Sequence, residues 1–196
     1  GFVIFLTLTR ASAWWDFAAN RFSRLFPPYW ICVGITFASL AALPMKDLNV
    51  SGRDALLNLT MLHYWLQIPT VDGVYGTLTI ELIFYAFVSV LHMTGLLRRV
   101  ELWVGIWLAM IFAAQLVVHS GINFSPMVRT TLLLEHGHFF FAGVLFYRMK
   151  SEGFSPVRWG LLLACIAAAA YVRDLAHALS LVVASLLFIA FITGHL

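Results

Sequence analysis

Apolar runs recur along the chain at about 25–43, 75–95, 102–119, 131–148, 157–172 and 175–193, and short charged segments separate them. A helix crossing the roughly 30 Å hydrocarbon core of a bilayer needs about 17–25 apolar residues, and these runs have that length or nearly so. The pattern predicts an all-α fold, a polytopic transmembrane helix bundle that forms one domain over residues 1–196. Arg173 and Asp174 break the last two runs and predict a tight hairpin. Pro27-Pro28 predicts the first turn of a helix, where a missing N–H leaves nothing unpaired.

Residues 55–68 are apolar but short of a span, and Asn58, His63 and Gln67 interrupt them. They predict an interfacial or re-entrant helix capped by Asp54. With that segment on one side, Arg10, Arg21, Arg24, Arg98, Arg99, Arg148, Lys150 and Arg158 share one face. Lys46, Arg53, Arg129 and Arg173 share the other. The larger basic group marks the cytoplasmic side. Residues 1–9 are strongly apolar, only half a span long, and lack the basic region and cleavage site of a signal peptide. They predict a chain that starts within a transmembrane helix of a longer protein.

Composition narrows the function classes. The chain is 62% hydrophobic and 11% charged, with a mean hydropathy of +0.91. A soluble domain carries roughly 25% charged residues, so lipid is the solvent that this surface suits. The net charge of +3 forms no basic stripe, which argues against a nucleic-acid partner. Cys32 and Cys165 lie within apolar runs, as small packing residues.

Four places could carry chemistry. Arg21 and Arg24, three residues apart on one helical face at the cytoplasmic interface, suit a phosphate, although Arg residues there also serve as plain lipid anchors. Glu81 should lie roughly 9 Å below the outer end of a span, where an ionisable group is costly and points to function unless Tyr, Thr or Arg side chains satisfy it. Glu135, His136 and His138 stand at the outer end of the 131–148 run. The two His point about 200° apart, so one faces a cavity, and no zinc ligand set can be assembled around them. His63 and Asp72 lie in an outer segment that could act as a lid or acceptor surface. Asn49-Val-Ser51 and Asn58-Leu-Thr60 match glycosylation sequons, a pattern common by chance. GxSxG, Walker and HExxH patterns do not occur. An intramembrane Glu and His would equally suit the proton relay of a transporter or channel, though no internal repeat supports one.

Four stretches in series resemble the membrane-bound acyltransferase 3 family of O-acyltransferases. They are Gly1-Phe-Val-Ile4, Phe17-Ala-Ala-Asn-Arg21-Phe-Ser-Arg24-Leu-Phe-Pro27-Pro-Tyr29-Trp30, Tyr75-Gly-Thr77-Leu-Thr79-Ile-Glu81-Leu-Ile-Phe84-Tyr85, and His138-Phe-Phe-Phe-Ala-Gly143-Val-Leu-Phe-Tyr147. Tyr75 stands where the family usually has Trp, and Asn20 replaces a basic residue. The family's catalytic His would precede Gly1, so the resemblance implies a chain lacking the first helix and part of the second, and inactive alone. It further implies a multi-pass protein of a bacterial inner membrane. Such a protein would move an acyl group, typically acetyl, from cytoplasmic acyl-CoA to a hydroxyl of a surface glycan, with no bound cofactor. On these positions Arg21 and Arg24 would hold the donor, and Glu81 and His138 would be the catalytic candidates. Tyr75, Thr79, Glu135 and His136 would contact the acceptor.

Overall fold

A computed structural model describes residues 1–10, 13–42, 51–71 and 76–194. Within them the fold is helical and contains no strand: α1 (Phe2–Arg10), α2 (Trp14–Ala42), α3 (Gly52–Asn58), α4 (His63–Leu66), α5 (Gly76–Met93), α6 (Val100–His119), α7 (Pro126–Thr131), α8 (Gly137–Glu152), α9 (Pro156–Val172) and α10 (Leu175–Ile192). Gly76–Met93, Leu96–His119 and Leu175–Ile192 are long and apolar enough to cross a membrane, and Pro156–Val172 is apolar but shorter. Leu175, Leu179, Val183, Leu186, Leu187 and Phe191 of α10 are all at least half exposed. Side chains of this kind at such exposure need lipid around them. The chain is a helical membrane protein.

Local signals set most boundaries. Ser155 caps α9, its Oγ accepting from the Arg158 N–H at 3.2 Å, with Pro156 in the first turn. Asp174 caps α10 through the His177 N–H at 2.9 Å, which makes the predicted Arg173-Asp174 hairpin. Gly95, at φ 71°, turns the end of α5 into a 3₁₀ turn over Leu96–Arg99.

Three expectations change. The run predicted at 131–148 is split, because α7 ends at Thr131 and tight turns, with Leu133 at φ 52°, precede α8. An apolar run does not reveal a backbone break when the residues at the break are themselves apolar. The segment 55–68 is two short helices rather than one, and Ser51, not Asp54, caps the first. Ser51 Oγ accepts from the Asp54 N–H at 3.1 Å, while the Asp54 carboxylate accepts from the Ser51 N–H at 3.4 Å. Asp54 is thus the far arm of a capping box. Finally, α2 begins at Trp14 rather than 25, so Pro27 and Pro28 lie in its interior. Their missing N–H groups leave the Ser23 and Arg24 carbonyls without helix partners.

The long α2 is explained by its buried stripe. Phe17, Arg21, Leu25, Tyr29 and Val33, spaced four apart, are all at most 8% exposed. That spacing lines one helical face. Its lower half packs antiparallel on α5, with the Phe17 and Tyr85 rings 6.1 Å apart. Its upper half carries the 51–71 segment: the Tyr29 hydroxyl donates to the Asn58 carbonyl at 2.6 Å, and the Trp30 indole donates to the Leu59 carbonyl at 3.1 Å. The Asn58 amide donates to the Asp54 and Pro69 carbonyls and accepts from the Val71 N–H. Asn58 is 1% exposed and fully engaged, so its sequon cannot present it for glycosylation. Asn49 lies outside the described residues.

The charges gather at two opposite ends of the bundle, as the loop pattern predicted. At one end Glu101, Arg148, Glu152 and Arg158 form a network across α6, α8 and α9. At the other, Arg129 and Arg173 share Glu135.

Candidate functional site

A cavity of about 640 Å³ opens between the start of α1 and the faces of α2, α5, α8 and α10. Its walls are mostly apolar, with Phe139, Phe140, Phe146 and Phe188 among them, and Arg21, Arg24, Thr77 and Glu81 supply polar groups. The antiparallel packing of α2 on α5 explains the convergence. Arg21 is seven residues into α2, about 10 Å from its start, and Glu81 is five into α5, about 7.5 Å from its own, at 1.5 Å per residue. Phe17 faces Tyr85 across this contact, and in an antiparallel pair four residues on along α2 match four residues back along α5, so Arg21 comes level with Glu81. The expected separation, with Arg at one membrane face and Glu81 near the other, is therefore corrected. It assumed that the helix began near Pro27, which would have left the Arg pair outside the bundle.

Arg21 is buried, at 6% exposure, and its guanidinium lies 5.2 Å from the Phe17 ring centroid and 5.4 Å from that of Tyr85. Cation–π contact of this kind suits a desolvated guanidinium. Its Nε has no hydrogen-bond partner among the described residues. Arg24, one turn further on, is exposed and lines the cavity. Glu81 is half-buried and accepts a short hydrogen bond from the Tyr85 hydroxyl. Tyr85 was present in the sequence pattern as an aromatic position. Its spacing of four from Glu81 was the signal that the two side chains meet.

The remaining candidates are elsewhere. Thr79 is fully buried and donates to the Met61 carbonyl at 3.3 Å, so it ties α5 to the 51–71 segment instead of meeting a ligand. His138 is fully buried against Phe139, its ring nitrogens unpaired among the described residues, and it does not line this cavity. It is not paired with Glu81, whose hydroxyl donor is Tyr85. The helix break before Gly137 puts His138 in the first turn of α8 with its side chain turned into the bundle core. Glu135 is held by Arg129 at 2.9 Å and Arg173 at 3.7 Å in a separate pocket, and His136 is half-buried beside it. Tyr75 and Asp72 lie outside the described residues.

His63 is 1% exposed and faces a further hollow with Tyr64, Gln67 and Ser125. Burial pushes its imidazole below the usual histidine range. Among the described residues no three metal-ligating side chains come together.

The chain matches no protein-family model, and no curated protein or solved structure shows significant similarity to it.

Proposed function

We propose that the protein is an integral membrane O-acyltransferase of a bacterial inner membrane, using acyl-CoA as donor and a glycan hydroxyl as acceptor. The observation that carries this reading is the meeting of two guanidiniums and one carboxylate in a single cavity within an apolar bundle. Arg24 and Arg21 offer charge-assisted hydrogen bonds to the donor's phosphates, and planar forks of this kind match phosphate oxygens. A base takes the proton of the acceptor hydroxyl as its oxygen attacks the thioester carbonyl, with Glu81 holding that hydroxyl or orienting the base. The carbon–sulfur bond breaks, the carbon–oxygen bond forms, and the proton passes to the departing CoA thiolate. A well-placed base of this sort contributes about 10² to 10⁴ in rate.

The test is acetyl-CoA binding to the protein in nanodiscs, followed by transfer of labelled acetyl to a polysaccharide acceptor in native membranes. Arg24→Lys keeps the charge and loses the fork, and the reading predicts weaker donor binding by roughly 1–3 kcal/mol, the worth of a charged hydrogen bond. Wild-type affinity in the Arg21→Ala, Arg24→Ala double variant overturns the reading.

A further inference from the structure

At the end of the bundle beyond Glu81, a second pocket of about 240 Å³ is lined by Gln115 of α6, Asn123, Arg129 of α7, Glu135 and Arg173. Five polar side chains, three of them charged, converge there from five separate parts of the chain. Arg129 donates to Glu135 at 2.9 Å, while Arg173 stands off the same carboxylate at 3.7 Å, beyond hydrogen-bond reach. Two guanidiniums therefore share one carboxylate, and one unit of positive charge is left facing the pocket. The Gln115 and Asn123 side-chain amides make no hydrogen bond among the described residues. Gln115 is half-buried in the stretch of α6 that runs apolar from Leu102 to Val118 apart from it, more than a turn short of the helix end, where an unpaired amide is costly.

We propose that this pocket binds a small monoanion that carries hydroxyl groups. The surplus guanidinium charge selects a single carboxylate or phosphodiester. Each free amide offers both a donor and an acceptor, the pair of functions that a hydroxyl complements. The volume is below the roughly 300–1,000 Å³ of drug-sized sites, so the ligand is the size of one sugar ring or one lipid headgroup. A uronic acid and a phosphoglycerol headgroup share this chemistry. The pocket sits where the ends of α6 and α9 meet the hairpin before α10. None of its residues belongs to the cavity around Glu81, so the assignment stands independently of the acyltransferase reading.

The experiment has two arms. In phosphatidylcholine nanodiscs, glucuronate and neutral glucose are titrated by calorimetry. In parallel, retention of phosphatidylglycerol against phosphatidylcholine is measured by native mass spectrometry. Saturable binding of glucuronate at least tenfold tighter than glucose identifies a soluble acid as ligand, and selective retention of phosphatidylglycerol identifies a headgroup. Either supports the proposal if Arg173→Gln weakens binding at least tenfold and Glu135→Gln, which removes the competing carboxylate, strengthens it. Gln115→Leu keeps every charge and suits an apolar helix, so it folds, and it should weaken binding severalfold. Absence of saturable binding by both anions overturns the proposal, as does binding that neither Arg173→Gln nor Gln115→Leu changes.

Discussion

The Tyr85 hydroxyl donates to the Glu81 carboxylate one helical turn away, and the same Tyr85 ring lies 5.4 Å from the Arg21 guanidinium. A single aromatic side chain thus links the carboxylate and the cation across the α2–α5 contact. The second Glu81 oxygen accepts no hydrogen bond among the described residues, which leaves it for whatever occupies the cavity.

Tyr85→Phe should lower thermal stability in detergent by about 1–3 kcal/mol, because it removes the donor from a half-buried carboxylate. Adding Glu81→Gln to that background should restore part of the loss, since a neutral amide tolerates burial better than an unpaired charge. Equal stability of wild type and Tyr85→Phe would show that water already satisfies Glu81.

Gly143→Ala should loosen α1 from α8. A Cβ at Gly143 would lie 2.6 Å from the Phe2 backbone nitrogen and 2.8 Å from Gly1 Cα, and backbone cannot step aside as a side chain can. Overpacking of this kind costs about 1–3 kcal/mol. The readout is amide exchange over Phe2–Arg10, expected to quicken. Gly34→Ala, which meets nothing within 4 Å, serves as the control and should leave exchange unchanged.

The 51–71 segment should loosen in acid through His63. Burial lowers its folded pKa below the unfolded value of about 6.5, so folding favours the neutral ring. That stabilisation is complete above about pH 6.5 and is lost as pH falls from there toward the lower folded value. Exchange over 51–71, corrected for intrinsic rate, should rise between about pH 7.5 and about pH 5.5 in the wild type. In His63→Phe the rise should vanish, and its persistence would assign the effect to another group.

Arg158→Met should be costly. Arg158 is 8% exposed, and it donates to Glu101 at 2.6 Å, to Glu152 at 2.5 Å and to the Gly153 carbonyl at 2.5 Å. Its loss leaves two carboxylates facing Arg148 alone. Breaking a buried pair costs about 3–5 kcal/mol, and the 41% exposure of the Glu152 side chain favours the lower end. Chemical unfolding monitored by helical circular dichroism measures it. A loss under half a kilocalorie would mean that solvent already screens the network, as at an exposed surface pair.

Much of the fold could be read along the chain. The runs at 75–95, 102–119, 157–172 and 175–193 coincide closely with α5, α6, α9 and α10, because a membrane imposes length and apolarity on each helix separately. The Arg173-Asp174 hairpin was equally legible, since a cap is made by neighbours in sequence. The site was legible as residues and not as an arrangement. Arg21, Arg24 and Glu81 stand out by their charge in an apolar chain, whereas Thr79 and His138 look the same in sequence whether they line a cavity or fill the core.

What the sequence determined by itself is a helical membrane protein with charges collected at the helix ends and a few stranded within. Those features follow from solvent preference residue by residue. Only tertiary structure decided that α2 extends back to Trp14, that Arg21 joins its buried stripe, and that α2 runs against α5 so that Arg21 and Glu81 share a cavity. The same is true of Glu135, which leaves that cavity for Arg129 and Arg173. In each case the deciding quantity is the register between two packed helices, set by contacts between residues far apart in the chain. Hydropathy, which scores each residue alone, carries no information about it.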